Sequence, residues 1–222
     1  MQRVAKSEET RSLIVTTAMR LFTENGYDRT TMRSIAAEAG VSVGNAYYYF
    51  SSKEQLIQGF YDEIARLHLG AARDRLADEP RFAERLKAVL LCWLDVAEPY
   101  HRFGTQFFVN AADPESPLSP FSDESSAARD ASIELMREVV DGSDVKLDPE
   151  LRAQLPELLW LYQMGVVLFW VHDRSAGEKR SRMLVERSVP LLARLAALSR
   201  LRVFRPVSRE IVDLIQDLAK RD

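Results

Sequence analysis

The side chains best suited to covalent or metal chemistry are few and scattered. Histidine occurs three times, as His68, His101 and His172, and Cys92 is the single cysteine. No two histidines stand four residues apart, as a helix-borne metal pair requires, and no HExxH, Gly-rich phosphate loop or nucleophile elbow occurs. Cys92 lies in the apolar run 89–94, where a buried, inert thiol is expected. One cysteine builds neither an intrachain disulfide nor a Cys-cluster zinc site. His172-Asp173 follows an apolar stretch and reads as a polar helix end. These residues predict no catalytic centre, no metal site and no cofactor. What remains is the string 31–53, where capping residues and small apolar residues are spaced to build two short helices about a tight turn.

Helices at 32–39 and 43–50 joined by such a turn are the helix-turn-helix plan. Ala36 lies where the first helix must approach the second closely, and Gly40 can take the positive φ of the sharp turn. Val41 and Ala46 supply small apolar packing, and Ile35 points to the core beneath. Other helices must hold this unit in place. In 7–25, Leu13, Ile14, Thr17, Ala18, Leu21 and Phe22 recur at helical spacing, and Asn25-Gly26 supplies the stop. Ser51-Ser52-Lys53-Glu54-Gln55 is the capped start of a long helix running to about residue 77. Further helices are predicted at 81–98, 100–112, 122–141, 149–173, 177–200 and 208–220, with a proline-rich surface loop at 113–120. No β-type alternation intervenes, so the predicted fold class is all-α: an N-terminal three-helix module with a helix-turn-helix, and a larger C-terminal helical domain.

The 222 residues are 46% apolar and 28% charged, enough for a core and too apolar for a disordered chain. Net charge is −3, so a nucleic-acid footprint has to be local. Before residue 54, seven basic side chains face five acidic ones, which permits DNA binding without demonstrating it. The most membrane-like stretch, 158–171, is shorter than the roughly 20 residues a spanning helix needs, and it predicts a buried core helix. No apolar signal core follows Met1 in 2–7, and a cytoplasmic protein is expected.

The full string Thr31-Met32-Arg33-Ser34-Ile35-Ala36-Ala37-Glu38-Ala39-Gly40-Val41-Ser42, continued by Val43-Gly44-Asn45-Ala46-Tyr47-Tyr48-Tyr49-Phe50-Ser51-Ser52-Lys53-Glu54-Gln55-Leu56, resembles the TetR family of repressors. The preceding Ala18-x-x-Leu21-Phe22-x-x-x-Gly26-Tyr27-x-x-Thr30-Thr31 matches that family's first helix. The resemblance covers about residues 10–60. It implies a DNA-binding domain over 1–53 and a helical ligand-binding and dimerisation domain over 54–222. It also implies that 43–49 is the recognition helix, its N-terminal residues facing base edges in the major groove. Asn45 becomes the base reader, because a carboxamide pairs two ways with adenine. Val43 is placed to pack on a thymine methyl, and Gly44 lets the backbone come close. Arg33 matches a position that reaches a base or a phosphate. Tyr47 and Tyr48 offer hydroxyls to phosphates. Thr31 offers a hydroxyl at a helix N-terminus, itself an anion site, and Lys53, at the next N-terminus, matches the family's phosphate-binding lysine. Tyr49 faces either the groove or the following helix, and Phe50 is expected in the core. Asn45-Ala46 stands where Thr-Leu or Ser-Leu is usual in the family, so the operator sequence does not carry over.

The resemblance further implies a homodimer on double-stranded DNA, two copies reading two half-sites of a palindromic operator. The nearly all-round apolar segment 155–170 and its neighbour carrying Met183, Leu184, Val189, Leu191, Leu192, Leu195 and Leu198 are the expected four-helix interface. An inducer pocket is implied in the body. Its candidate lining is Trp93, Tyr100, Phe103, Phe107, Phe108, Asn110, Met136, Trp160, Gln163, Met164 and Phe169, which suits a small, largely apolar ligand. Ligand would favour a body geometry whose long helix 52–77 moves the reading heads off half-site spacing, releasing a repressor. The rival readings are a dimeric helical adaptor without DNA binding and, last, an enzyme.

Overall fold

A computed structural model describes residues 2–101, 104, 111, 116–117 and 119–199. Among the described residues there are eight α-helices and no strand, as the sequence predicts. They are α1 (Gln2–Asn25), α2 (Met32–Glu38), α3 (Val43–Tyr49), α4 (Lys53–Leu76), α5 (Phe82–Ala97), α6 (Ser126–Asp141), α7 (Pro149–His172) and α8 (Lys179–Leu198). α1 begins five residues earlier than its apolar spacing indicates, because a polar first turn carries no periodic signal. The helix expected at 208–220, most of that expected at 100–112, and Phe103, Phe107, Phe108 and Asn110 lie outside the described residues.

The chain divides into two compact units, Met1–Leu67 with Pro99–Arg129, and His68–Glu98 with Asp130–Asp222. In the first, Ile14, Val15, Ala18, Met19 and Phe22 of α1 form a buried stripe that meets Ile35 and Ala36 of α2 and Leu56 and Ile57 of α4 in one core. α1 packs on α2, and α2 on α3. The chain leaves α1 through a turn closed by Thr30, whose hydroxyl donates to the carbonyls of Leu21 (3.2 Å) and Gly26 (2.9 Å).

In the second unit α5 packs on α8, and α7 on α8. Leu86, Val89, Leu90 and Leu94 of α5 are buried together with Leu135, Met136 and Val139 of α6 and Val185 and Val189 of α8. Two buried ionic groups organise its helix ends. Arg85 donates to four carbonyl oxygens, those of Leu76 (2.8 Å), Glu79 (2.8 Å), Glu138 (2.8 Å) and Val139 (3.1 Å), so it caps the C-terminal turns of α4 and α6 at once. Gly142 leaves room for it, since a Cβ there would stand 2.7 Å from the Arg85 guanidinium carbon. Asp173, 4% exposed, closes the α7–α8 connection. It accepts from the amide and hydroxyl of Ser175 (2.9 and 2.7 Å) and of Ser181 (both 2.8 Å). Burial works against its ionisation, but these four donors outweigh burial and hold the carboxyl at about 2. His68 on α4 is buried with Nε2 2.9 Å from the Val89 carbonyl, and burial pushes its pKa below the ordinary 6.5.

Gly142→Ala is expected to lower stability by about 1–3 kcal/mol through overpacking, and by much less in an Arg85→Met background. Thermal denaturation of the four proteins in that cycle measures the coupling; equal effects in both backgrounds would show that Arg85 does not depend on the space at Gly142. The two titrating groups give a pH signature of definite sign. The depressed His68 pKa means stability is full above 6.5 and declines as pH falls below it. Asp173 adds a second decline from 3.8 down to about 2, amounting to about 2 kcal/mol, which Asp173→Asn should abolish in urea denaturation across that range.

Candidate nucleic-acid interface

The helix-turn-helix is assembled by caps at each end of its short helices. Thr31 Oγ1 accepts from the Ser34 amide at 3.1 Å, and Ser34 Oγ accepts from the Thr31 amide at 3.0 Å, a reciprocal box that starts α2. Gly40 adopts φ +67°, and the Val41 amide then reaches back to the Ala36 carbonyl at 3.0 Å. Ser42 Oγ accepts from the Asn45 amide at 3.1 Å and starts α3. Ala36 and Ala46 have no accessible surface, and Phe50 is buried at the C-terminal end, as expected of all three.

Ala46 is the one residue of α3 that is buried, which leaves the remaining faces available to a partner. Val43 is 38% exposed, Tyr47 51% and Tyr48 80%. Asn45 is exposed, and its carboxamide makes no hydrogen bond among the described residues. Gly44 needs no positive φ, and a Cβ there would meet nothing within 4 Å. Nothing in the chain's own packing or backbone therefore requires a glycine at this position. Arg33 on α2 is exposed and has neither a carboxylate nor a carbonyl partner among the described residues.

Three other predicted site residues are engaged within the fold. The Thr31 hydroxyl belongs to the capping box. The Tyr49 hydroxyl lies 3.2 Å from Ser7 Oγ, so this ring ties α3 to α1, an arrangement the sequence gives no means to foresee. Lys53 Nζ donates to the Tyr27 carbonyl at 2.8 Å and stands 4.0 Å from the centre of the Tyr27 ring. The Tyr27 hydroxyl in turn donates to Glu54 Oε1 at 2.8 Å, which holds the Glu54 carboxyl below its usual range, while burial and that carboxylate push the phenol up. Lys53 thus sits in a cluster that fixes the α1–α2 turn to the start of α4.

The predicted ligand residues divide between the units. Trp93, Met136, Trp160, Gln163 and Met164 belong to the second, where Trp93 meets Trp170 edge-on at 5.2 Å. Met136, Trp160 and Gln163 are buried, and Gln163 Oε1 has no hydrogen-bond partner among the described residues. An unpaired buried carbonyl of this kind costs about 1–3 kcal/mol. Tyr100 belongs to the first unit, its ring 4.7 Å from Phe60. Phe169 departs from expectation. The register that buries Trp160, Gln163 and Trp170 turns Phe169 outward with Leu161 and Leu168. No group of three or more potential metal ligands occurs among the described residues, nor any helix long and apolar enough to cross a membrane.

Comparison with known proteins agrees with this geometry. Residues 14–59 match the family described as bacterial regulatory proteins, tetR family. Residues 85–218 match the Tetracyclin repressor-like C-terminal domain. The HTH-type transcriptional regulator TtgR of Pseudomonas putida is 38% identical over 68 residues, 31% of this chain and 32% of that protein. The HTH-type transcriptional repressor KstR2 of Mycobacterium tuberculosis is 31% identical over 106 residues, 46% of this chain and 51% of that protein. The chain thus aligns with about a third to a half of these relatives' length. Among solved structures, the fatty acid degradation regulator FadR of Bacillus halodurans superposes with a TM-score of 0.64 at 20% identity, covering 87% of this chain and 96% of that one. FadR of Bacillus subtilis, in complex with stearoyl-CoA, gives 0.63 at 17% identity over 82% and 97%. With one family model on the helix-turn-helix and a second spanning more than half the chain, the protein belongs to the TetR family of bacterial regulatory proteins.

Proposed function

We propose that this protein is a DNA-binding transcriptional regulator, a repressor released from a palindromic operator by a small, largely apolar ligand. The observation that carries the reading is the first turn of α3. Val43, Gly44 and Asn45 are exposed side by side, the Asn45 carboxamide has no partner among the described residues, and nothing in the packing requires a glycine at 44. A valine on a surface, a glycine in a helix and an amide without a partner are each unfavourable or neutral for the isolated chain. Against a major groove each acquires a purpose: methyl contact, close backbone approach and paired hydrogen bonds to adenine. Arg33, Tyr47 and Tyr48 supply phosphate or base contacts around them, with Thr31, Tyr49 and Lys53 holding or extending that surface. In this reading 1–53 is the DNA-binding domain, 54–222 the ligand-binding and dimerisation domain, and the site of action is the cytoplasm.

Two half-sites require two copies. Leu161, Leu168 and Phe169 on α7 and Leu191 and Leu195 on α8 are exposed, an apolar surface on the two helices expected to pair across a twofold axis. The ligand site is proposed within the second unit, around Trp93, Met136, Trp160, Gln163 and Met164. The unpaired Gln163 carbonyl favours a ligand that offers a hydrogen-bond donor within an otherwise apolar body. The FadR proteins of Bacillus subtilis and Thermus thermophilus are seen with stearoyl-CoA and lauroyl-CoA, and the acyl chains of those ligands, though not their anionic CoA moieties, are in keeping with an apolar site.

Gly44→Ala separates fold from function. Helix propensity predicts a gain of about 0.5–1 kcal/mol in thermal stability, while binding to the gene's own upstream DNA weakens on the order of tenfold. Asn45→Ala is expected to weaken the same complex by about 1–3 kcal/mol without lowering stability. A gel shift that finds no specific, salt-sensitive complex with the unsubstituted protein, or both variants binding as it does, overturns the proposal. Replacing Leu191 and Leu195 together by Glu should leave a folded monomer in analytical ultracentrifugation; an unchanged dimer would move the interface elsewhere.

A further inference from the structure

Most cations of the N-terminal module are engaged by the fold, three by carboxylates and two by backbone carbonyls. Arg11 pairs with Asp62 (3.4 Å), Arg20 with Glu24 (3.1 Å) and also with Glu38, and Arg66 with Glu63 (2.6 Å). Arg29 Nε donates to the Asn25 carbonyl at 2.7 Å, and Lys53 to that of Tyr27. Of the described side chains from residue 6 to 67, two cations have no such partner: Arg33, treated above, and Lys6. Lys6 is exposed and lies before the stretch 14–59 matched to the family.

Its position is fixed by its neighbours. Ser7 Oγ lies 3.2 Å from the Tyr49 hydroxyl, and Tyr49 meets Tyr48 edge-on at 5.2 Å. Arg11, one turn beyond Ser7, stands 5.1 Å from the centre of the Phe50 ring. The second and third turns of α1 are therefore held against the C-terminal end of α3, continuous with the exposed Tyr48. At about 100° per residue, Lys6 flanks Ser7 on one side of α1 while Glu8 and Glu9 turn to the other side and the back. A protein of net charge −3 has no general attraction for a polyanion, so an exposed cation with no partner inside the fold is well placed to displace counterions from DNA.

We infer that Lys6 contacts a backbone phosphate of double-stranded DNA beside the bases faced by α3, making the start of α1 a sequence-independent anchor. The inference rests on the DNA-binding reading above. A compact ammonium on a flexible stem suits a phosphate oxygen and carries little base discrimination. The Ser7–Tyr49 contact places the anchor beside α3.

The test is a salt titration of the full-length protein by fluorescence anisotropy, on its own upstream fragment and on a scrambled duplex. Lys6→Gln should reduce the slope of log K against log salt by about 0.9 per protomer. It should weaken both duplexes by the same factor and leave the melting temperature unchanged. Lys6→Arg should keep the original slope. An unchanged slope in Lys6→Gln overturns the inference, and a changed ratio between the two duplexes overturns the phosphate assignment in favour of a base contact. If the unsubstituted protein prefers neither duplex, the DNA-binding reading fails and this inference fails with it.

Discussion

Helices of seven residues have no stability of their own, and both α2 and α3 are that short. Whatever α3 presents to a partner depends on how such a helix is held while burying almost nothing of itself. The answer in this chain is a methyl group and two caps. Ala46 packs against α2 with no accessible surface, Ser42 closes the N-terminus, and Phe50 anchors the chain as it leaves. A larger residue at Ala46 would separate the helices, and more buried positions on α3 would remove reading surface. The narrowness of the contact is what frees Val43, Asn45, Tyr47 and Tyr48.

The same division between groups engaged by the fold and groups left for a partner runs through the molecule. Arg85, Asp173, Lys53 and the Thr31 hydroxyl are all held by several hydrogen bonds or a ring contact, and each fixes a helix end. Arg33, Asn45 and Lys6 are not, and all three belong to the N-terminal module. In the body, Gln163 carries an amide oxygen that is buried without a hydrogen-bond partner among the described residues. A free donor or cation on a surface is cheap to the fold because water solvates it, whereas an unsatisfied buried amide is destabilising until something pairs with it. The two kinds of vacancy fit a surface that meets DNA and an interior that meets a ligand.

The helix-turn-helix was legible in the sequence because its determinants are local. Caps, a left-handed glycine and two alanines lie within sixteen residues and act over single turns. Phe50 as core and the all-helical plan were legible for the same reason. Long-range polar contacts were not. Nothing near Lys53 indicates that Tyr27, twenty-six residues earlier, takes its ammonium, and nothing near Tyr49 points to Ser7. Arg85 looks like any helix-surface arginine until four carbonyls from three segments converge on it. Phe169 could not be oriented from composition, because α7 is apolar nearly all round and its register is decided by which neighbours it meets.

The central claim is that two copies of this chain place two α3 helices on one face of a duplex. Hydroxyl-radical footprinting of the protein on its own upstream DNA tests it most directly. Two protected patches related by a twofold axis, with centres about 10 base pairs or a multiple of that apart, are the predicted result. A single asymmetric patch, or protection spread evenly along the fragment, would contradict it.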